Sequence, residues 1–443
     1  MNENVYSDGK ASQEPKARVQ RWEELFSGLV SRSMVDQWRR RTGYNPRQRK
    51  VTAQRLLLVV LEGFIMGQTM GFATLRALFV ARFGAVSSCG FQNRFRSAQA
   101  VEFFKLAYEE FVQAVVSKGS MHLKGVLNSF DDVRVVDGTK VRVPPRGAEV
   151  FGATNAGKAG MKWVAVLSLL TGVFEQMTIG AQRAAEIPAW RRLAGELKPN
   201  VLYLLDLGFF ERDLFRQAQQ QGAEVLMRCK SGVKLKLVGH VCQGKFITFQ
   251  PLAVSTYLSF HSRKKGTVYD LDVIWGTGAS ALRLRMVGYA HNCRKIRWYL
   301  TTVDRDRMSA SDLIKAYRLR WLIELGFREL KQQADVGRCN TANEHAAKAF
   351  GYAVMLAHAF VRSLRLAAAC AHDVPVEQLR PLAVWHMIRA HAHPIINALQ
   401  NGTFSLLENR LSLLFSHILL FAHEPHPSKS RYPIARAMGA VGG

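Results

Sequence analysis

The stretch VRVVDGTKVRV, Val133–Val143, decides the fold because the sequence changes there from helical to strand-like patterns. Its β-branched residues and its central Asp137-Gly138 pair predict a strand, a turn and a second strand. Residues 201–206, VLYLLD, form a continuous apolar run, which is typical of strands buried on both faces. Both segments are therefore expected to lie inside a sheet.

The sequence between and after these two runs predicts the rest of the sheet. KWVAVLSLLTG and VFEQMTIG indicate a hairpin through Thr171-Gly172. Helices are expected at 188–197 and 211–221, and a further strand at 223–229. Strands and helices in this order predict an α/β fold, a mixed sheet with helices packed on it.

Helical patterns flank this core on both sides. Apolar residues recur at helical spacing over 23–116 and again from 344 onward. Short strands rich in Lys and Arg occupy 232–304 and predict a β-rich insertion. We therefore expect a helical N-terminal region (1–125), an α/β domain that contains the insertion (126–343), and a helical C-terminal region (344–443) that is a candidate for dimerisation.

The net charge of the chain indicates which class of molecule it binds. The 443 residues include 61 Lys and Arg against 34 Asp and Glu, a formal net charge of +27. This excess favours a polyanion, and nucleic acid comes before a membrane surface. The longest apolar runs are shorter than the roughly 20 residues of a membrane-spanning helix, and residues 1–20 lack the apolar core of a signal peptide. We expect a soluble protein of the bacterial cytosol, associated with the nucleoid.

Six cysteines are scattered along the chain without a CxxC pair. The sequence therefore predicts neither a disulfide framework nor a zinc site.

Two basic segments near the N-terminus are candidates for DNA binding. Six cations and no acid lie between residues 37 and 50, namely Arg39, Arg40, Arg41, Arg47, Arg49 and Lys50. They suit phosphate contacts, although such a cluster can also be ordinary solvated surface. Residues 86–98, VSSCGFQNRFRSA, predict a short helix that carries Arg94 and Arg96 and would suit a helix-turn-helix. A packed helical bundle gives the same periodicity.

Two aspartates follow the buried runs. Asp137 ends VRVV and Asp206 ends VLYLL. Either one alone can simply cap a turn, but open α/β sheets place their active sites outside strand ends. If the two strands are neighbours, the carboxylates lie a few ångströms apart, and a divalent metal ion would relieve their repulsion.

A third carboxylate lies in YRLRWLIELGFRELK, Tyr317–Lys331. At about 100° per residue, a helix places Tyr317, Arg320, Glu324 and Lys331 within roughly 60° of arc and an apolar row opposite them. One carboxylate among cations and an aromatic ring suits a metal ion and a phosphate chain. The alternative is a solvated face with ordinary salt bridges. With Asp137 and Asp206, Glu324 makes three acids, the number that can share two Mg²⁺ ions about 3.5 to 4 Å apart.

These residues resemble a known family. Asp137 in VVDGT, Asp206 in YLLDLGFF, and the spacing of Tyr, Arg, Glu and Lys in the 317–331 helix are similar to the DDE transposases of the insertion-sequence-four family. The resemblance covers about 130–335, and the β-rich insertion before the glutamate is part of it. It implies a ribonuclease-H-like catalytic core between a helical N-terminal DNA-binding region and a helical C-terminal region.

The resemblance also implies roles. Asp137, Asp206 and Glu324 would be the catalytic metal ligands, for two Mg²⁺ ions with Mn²⁺ as an alternative. Tyr317, Arg320 and Lys331 would hold DNA near the transposon end. Trp321 matches a tryptophan of some members and can stack on a displaced base; its alternative is helix packing.

The expected activity is cutting at terminal inverted repeats and joining of the 3′ hydroxyl ends to target DNA, by a homodimer that holds both ends of the double-stranded element. Two alternatives remain at this point. A ribonuclease-H-like nuclease or resolvase would use the same metals without strand joining. A regulator derived from a transposase would bind DNA without chemistry.

Overall fold

The computed structural model describes residues 22–425 except 29, 46–49, 69, 119–122, 124, 154–157, 185, 194, 196, 243–244, 260–263 and 293–294. It has the predicted α/β class, a mixed ten-stranded sheet with helices before and after it. The helices before the sheet are α1 (22–28), α2 (Arg32–Thr42), α3 (Ala53–Ile65), α4 (Phe72–Phe83), α5 (Ser88–Gln92) and α6 (Ala98–Lys118).

Side-chain caps fix the beginnings of three of these helices. Ser31, Thr52 and Ser87 each accept a hydrogen bond from a main-chain amide of the first turn of α2, α3 and α5. Such caps satisfy amides that have no partner inside the helix. Because α5 ends at Gln92, Arg94 and Arg96 lie after the predicted short helix and not on it.

The strands form one sheet. They are β1 (Asp132–Arg142), β2 (Gly160–Ser168), β3 (Phe174–Ala181), β4 (Val201–Leu205), β5 (Glu224–Arg228), β6 (Leu235–Cys242), β7 (Lys245–Ala253), β8 (Val268–Trp275), β9 (Leu282–Ala290) and β10 (Ile296–Thr301). Their order is β3-β2-β1-β4-β5-β10-β9-β8-β6-β7. Among these ten described strands, β1 with β4 and β4 with β5 are the parallel pairs. The predicted hairpin through Thr171-Gly172 is confirmed, since it joins β2 to β3.

The prediction of a turn inside Val133–Val143 is wrong. β1 is a single strand of 11 residues, and its pairing with β2 continues through Asp137 opposite Ala165 and Gly138 opposite Val164. Asp-Gly is a common turn signal, but an antiparallel neighbour along the whole segment keeps it extended.

The remaining helices pack on the sheet or follow it. They are α7 (Ala148–Phe151), α8 (Glu186–Leu193), α9 (Arg212–Gln221), α10 (Val254–Ser259), α11 (Ala310–Ala316), α12 (Trp321–Gln333), α13 (Glu344–Ala371), α14 (Pro381–Asn401) and α15 (Phe404–Ala422). The predicted helices at 188–197 and 211–221 thus correspond to α8 and α9, and the predicted strand at 223–229 corresponds to β5.

Two helices in the described part of the chain are long and apolar enough to cross a membrane by length and composition. In the most apolar 18-residue stretch of each helix, 89% of the residues are buried inside the protein in α13 and 28% in α15. α13 is the central helix of the fold: it packs on α3, α6, β3, α14 and α15. Its apolar character is therefore explained by burial in the core.

Candidate catalytic centre

Asp137 and Asp206 lie on neighbouring strands. β1 and β4 run parallel, and their pairing ends at Val136 opposite Leu205. The residue that follows this pair is an aspartate on both segments, so Asp137 and Asp206 lie where β1 and β4 separate. Asp206 follows the end of β4, whereas Asp137 lies inside β1, which continues to Arg142. Adjacent strands are about 4.8 Å apart, so this register brings the two acids together.

Glu324 comes from a helix that crosses this end of the sheet. The structure corrects the single helix predicted for Tyr317–Lys331: a 3-10 turn covers Tyr317–Arg320, and the α-helix α12 begins at Trp321. α12 is held against β3 by Phe327, whose ring stacks on Phe174 at 5.2 Å between centroids. An ion pair between Glu329 and Arg362 also holds α12 against α13. Glu324 thus points from a fixed helix toward the aspartates.

Arg320 joins the three acids. Its Nη1 donates to Oδ2 of Asp137 at 3.2 Å, and its Nη2 donates to Oε1 of Glu324 at 2.8 Å. Its Nε lies 3.8 Å from Oδ1 of Asp206. Sequence proximity does not indicate this partner of Asp137, because Arg320 lies 183 residues away along the chain.

Burial makes this an unfavourable place for negative charge. It raises the pKa of Asp137 from 3.8 to about 6, although the Gly138 amide and Arg320 oppose the increase; the nearby charges of Asp206 and Glu324 add to it. One guanidinium faces three carboxylates, so the centre keeps an excess of negative charge when all are ionised. Among the described residues, no group of three His, Cys, Asp or Glu side chains is close enough together to hold a metal ion.

Tyr317 lies behind the centre. Its side chain is buried, its hydroxyl donates to the carbonyl of Leu205 at 3.1 Å, and its ring packs on Tyr299. The hydroxyl therefore supports the end of β4 directly before Asp206 in this structure. Contact between Tyr317 and DNA stays a prediction, and the buried hydroxyl bond does not favour it.

Two other predicted DNA contacts, Trp321 and Lys331, lie on α12, the helix that carries Glu324. Trp321, the first residue of α12, is 47% exposed, and Lys331 is exposed in the last turn of α12. Both can be reached from solvent. Their roles in binding DNA remain predictions.

The first basic segment is mostly exposed. Arg39, Arg40 and Arg41 form the last turn of α2, and Lys50 follows nearby. Arg39 pairs with Asp36 at 3.2 Å and Arg41 pairs with Glu110. Arg47 and Arg49 lie outside the described residues.

The second basic segment is tied to its surroundings. Arg96 donates to Gln92 at 2.6 Å and lies over the ring of Phe72. The carbonyl of Arg94 accepts a hydrogen bond from Tyr44. Neither contact decides whether this region reads DNA.

One acidic residue near the centre was missed. Glu186, the first residue of α8, lies beside Gly138 and Gly208, each close to one of the two aspartates. A single Glu at a helix start is an ordinary favourable charge in sequence, so only the three-dimensional structure indicates it.

Comparison with known families matches the region that contains this centre. The sequence model described as the transposase DDE domain matches residues 128–360. This range includes Asp137, Asp206 and Glu324.

Individual relatives are transposases of bacterial insertion sequences. The chain is 25% identical over 216 residues to the transposase for insertion sequence element IS231B of Bacillus thuringiensis subsp. berliner, covering 47% of this chain and 45% of the relative. It is 25% identical over 213 residues to that of IS231C from the same subspecies, covering 47% and 44%. The chain thus spans less than half the length of these relatives.

A solved structure is also similar. It is a cryo-EM structure of a piggyBac transposase synaptic complex with hairpin DNA, matched with a TM-score of 0.46 and 13% identity over 98% of this chain and 90% of that one.

Proposed function

Because this chain belongs to the transposase DDE domain family, we propose that it is a DNA transposase. It cuts DNA at the terminal inverted repeats of a mobile element and joins the freed 3′ hydroxyl ends to target DNA. The observation that carries this proposal is the convergence of Asp137, Asp206 and Glu324 on one guanidinium, from two parallel strands and a crossing helix.

The donor set suits divalent cations, which DDE domains generally use. Three carboxylates from separate elements face a single positive charge, and burial penalises the ionised form of Asp137. Oxygen ligands of this type are preferred by Mg²⁺ and Mn²⁺. We propose that these three residues hold two such ions, which would activate the attacking oxygen and stabilise the leaving oxygen of a phosphodiester.

Arg320 has two tasks in this proposal. In the free protein its guanidinium balances the carboxylates, as its contacts with Asp137 and Glu324 support. When DNA is bound, the same planar group offers paired donors to a phosphate oxygen, the geometry in which Arg exceeds Lys. In this proposal, Arg320 therefore exchanges its carboxylate partners for a phosphate when DNA binds.

We propose DNA as the partner because the protein is strongly basic. The net charge of +27 and the exposed cations of α2 support broad contact with phosphates. Lys331 and Trp321 are further exposed candidates for DNA contact, on the helix that carries Glu324. Cutting two ends together requires two active sites, so we propose a homodimer, with the helices after residue 344 as the candidate contact.

The decisive experiment uses the full-length protein with Mg²⁺ and a plasmid that carries the inverted repeats bracketing its own reading frame. We expect cutting at the repeat ends, and we expect Asp137→Asn and Glu324→Gln to reduce it about a hundredfold or more. Affinity for the repeat should change by less than about threefold, below 1 kcal/mol.

Asp213→Asn is the matched control, because Asp213 is an exposed acid of α9 that pairs with Arg216. It should cut like the original protein. Unimpaired cutting by Asp137→Asn would remove this residue from the mechanism, and the absence of any cutting by the unmodified protein would contradict the proposal itself.

A further inference from the structure

Glu186 lies on the side of the two strand ends that Arg320 does not cover. It begins α8, directly after the β2–β3 hairpin, and its side chain is 29% exposed. Its Oε1 lies 3.5 Å from Nζ of Lys162, a β2 residue that is itself largely buried. Glu186 and Lys162 thus form an ion pair near the catalytic centre.

The carboxylate of Glu186 occupies the space that a side chain at Gly208 would need, and it lies near Gly138. A methyl group on Gly208 would overlap Oε2 of Glu186, and one on Gly138 would lie 3.4 Å from Oε1. Gly138 follows Asp137 directly, and Gly208 lies two residues after Asp206. The same carboxylate is therefore packed closely against Gly208, beyond Asp206, and lies near Gly138, beyond Asp137.

At these contacts only one of the two strands is still held by the sheet, since β1 stays paired with β2 as far as Arg142 whereas β4 ends at Leu205. Hydrogen bonding between β1 and β4 ends at Val136 and Leu205. Past that point β1–β4 pairing does not set the distance from Asp206 to the fixed strand β1, so neighbouring side chains can influence it. Glu186, paired with Lys162, lies beside both segments.

We propose that Glu186 is a positioning residue of the catalytic centre, which sets the spacing of Asp137 and Asp206 through Gly138 and Gly208. The inference rests on the proposed function, since it assigns a purpose to that spacing. Residues behind metal ligands commonly change metal affinity by about 10- to 100-fold when they are removed. The effect should therefore be visible in cation binding as well as in cutting.

Gly208→Ala offers a way to move the carboxylate without deleting it. Gly208 does not have the left-handed φ that would exclude alanine. The added methyl group meets only the flexible end of Glu186, so Glu186 should swing away while the backbone stays. Mn²⁺ alone, titrated into the full-length protein and followed by the electron paramagnetic resonance of the free ion, reports the affinity.

We expect Glu186→Ala and Gly208→Ala each to weaken Mn²⁺ binding about tenfold, and the double variant to be no weaker than either single one. Gly180→Ala is the control, because its methyl group would make only an ordinary 3.7 Å contact with Ala184. It should bind Mn²⁺ like the original protein. Thermal unfolding of each variant checks that the fold is intact.

Asp137→Asn separates this inference from the function on which it rests. If the original protein binds Mn²⁺ no better than Asp137→Asn, the proposed metal centre fails. If Asp137→Asn loses binding but Glu186→Ala and Gly208→Ala both retain it, only the positioning role is overturned. Additive losses in the double variant would overturn it too, since the two changes would then act independently.

Discussion

Arg320 donates from Nη1 to Oδ2 of Asp137 at 3.2 Å, across 183 residues of sequence. The arginine of the helix motif is thus the counter-charge of the first aspartate. Because the same guanidinium also binds Glu324, the free centre is held together by a cation of the protein itself.

Replacing this cation should destabilise the protein in a way that metal ions reverse. Arg320→Met leaves three carboxylates facing one another, and we expect a loss of about 2 kcal/mol in the free energy of unfolding, measured by urea denaturation with a chelator present. Mg²⁺ should restore more stability to this variant than to the original protein. Arg318→Met, an exposed neighbour in the same turn, is the control. Equal stability of Arg320→Met in chelator would contradict the counter-charge role.

The buried Asp137 should make stability depend on pH in an unusual direction. Its pKa is raised from 3.8 to about 6, so the folded state binds more protons than the unfolded state between these values. The contribution of this group therefore favours folding below about pH 4 and is lost as pH rises through about 6. Asp137→Asn removes the effect. It should be more stable than the original protein at pH 7, by at most about 3 kcal/mol, and the difference should disappear near pH 4.

Denaturation curves of both proteins across this pH range test the prediction. A difference that is constant with pH would show that Asp137 does not titrate differently on folding.

Tyr317→Phe distinguishes a supporting role from a DNA contact. Loss of the hydroxyl leaves the Leu205 carbonyl without the bond it now accepts, which should cost about 1 to 2 kcal/mol of stability. We expect unchanged affinity for the terminal repeat, because the hydroxyl is buried. A large loss of affinity without loss of stability would instead place Tyr317 at the DNA.

The cations of the first basic segment, residues 37–50, should differ in their contribution to DNA binding. Arg40 and Lys50 are exposed and have no ion-pair partner among the described residues, whereas Arg41 is paired with Glu110. Arg40→Gln and Lys50→Gln should each reduce the slope of log affinity against log salt by about 0.9, and Arg41→Gln by less. Fluorescence anisotropy on a mixed-sequence duplex measures the slopes. Slopes of all three variants equal to that of the original protein would remove this segment from the interface.

The sequence was sufficient for the elements that carry the acids. Apolar runs predict β1 and β4, and the motif spacing in 317–331 predicts the glutamate helix. Local patterns could not reveal that Asp137-Gly138 stays extended, because its partner strand β2 decides this. They also could not predict the 3-10 turn at Tyr317–Arg320, since helical periodicity alone does not separate the two forms.

The electrostatic arrangement was beyond the reach of sequence. Arg320 was interpreted as a DNA contact only, because its proximity to Asp137 depends on the packing of α12 over the sheet. Glu186 had no motif at all. Its importance depends on two missing side chains, at Gly138 and Gly208, and on their alignment in space.

The central position of α13 has a consequence for how the chain can be divided. One continuous apolar core includes Trp38 of α2, Val135 of β1, Phe360 of α13 and Leu414 of α15. Denaturant should therefore melt these parts as one cooperative unit. A fragment that stops before β1 would expose the faces of α3 and α6 that α13 now covers. Such a fragment should resemble a molten ensemble more than an autonomous binding module.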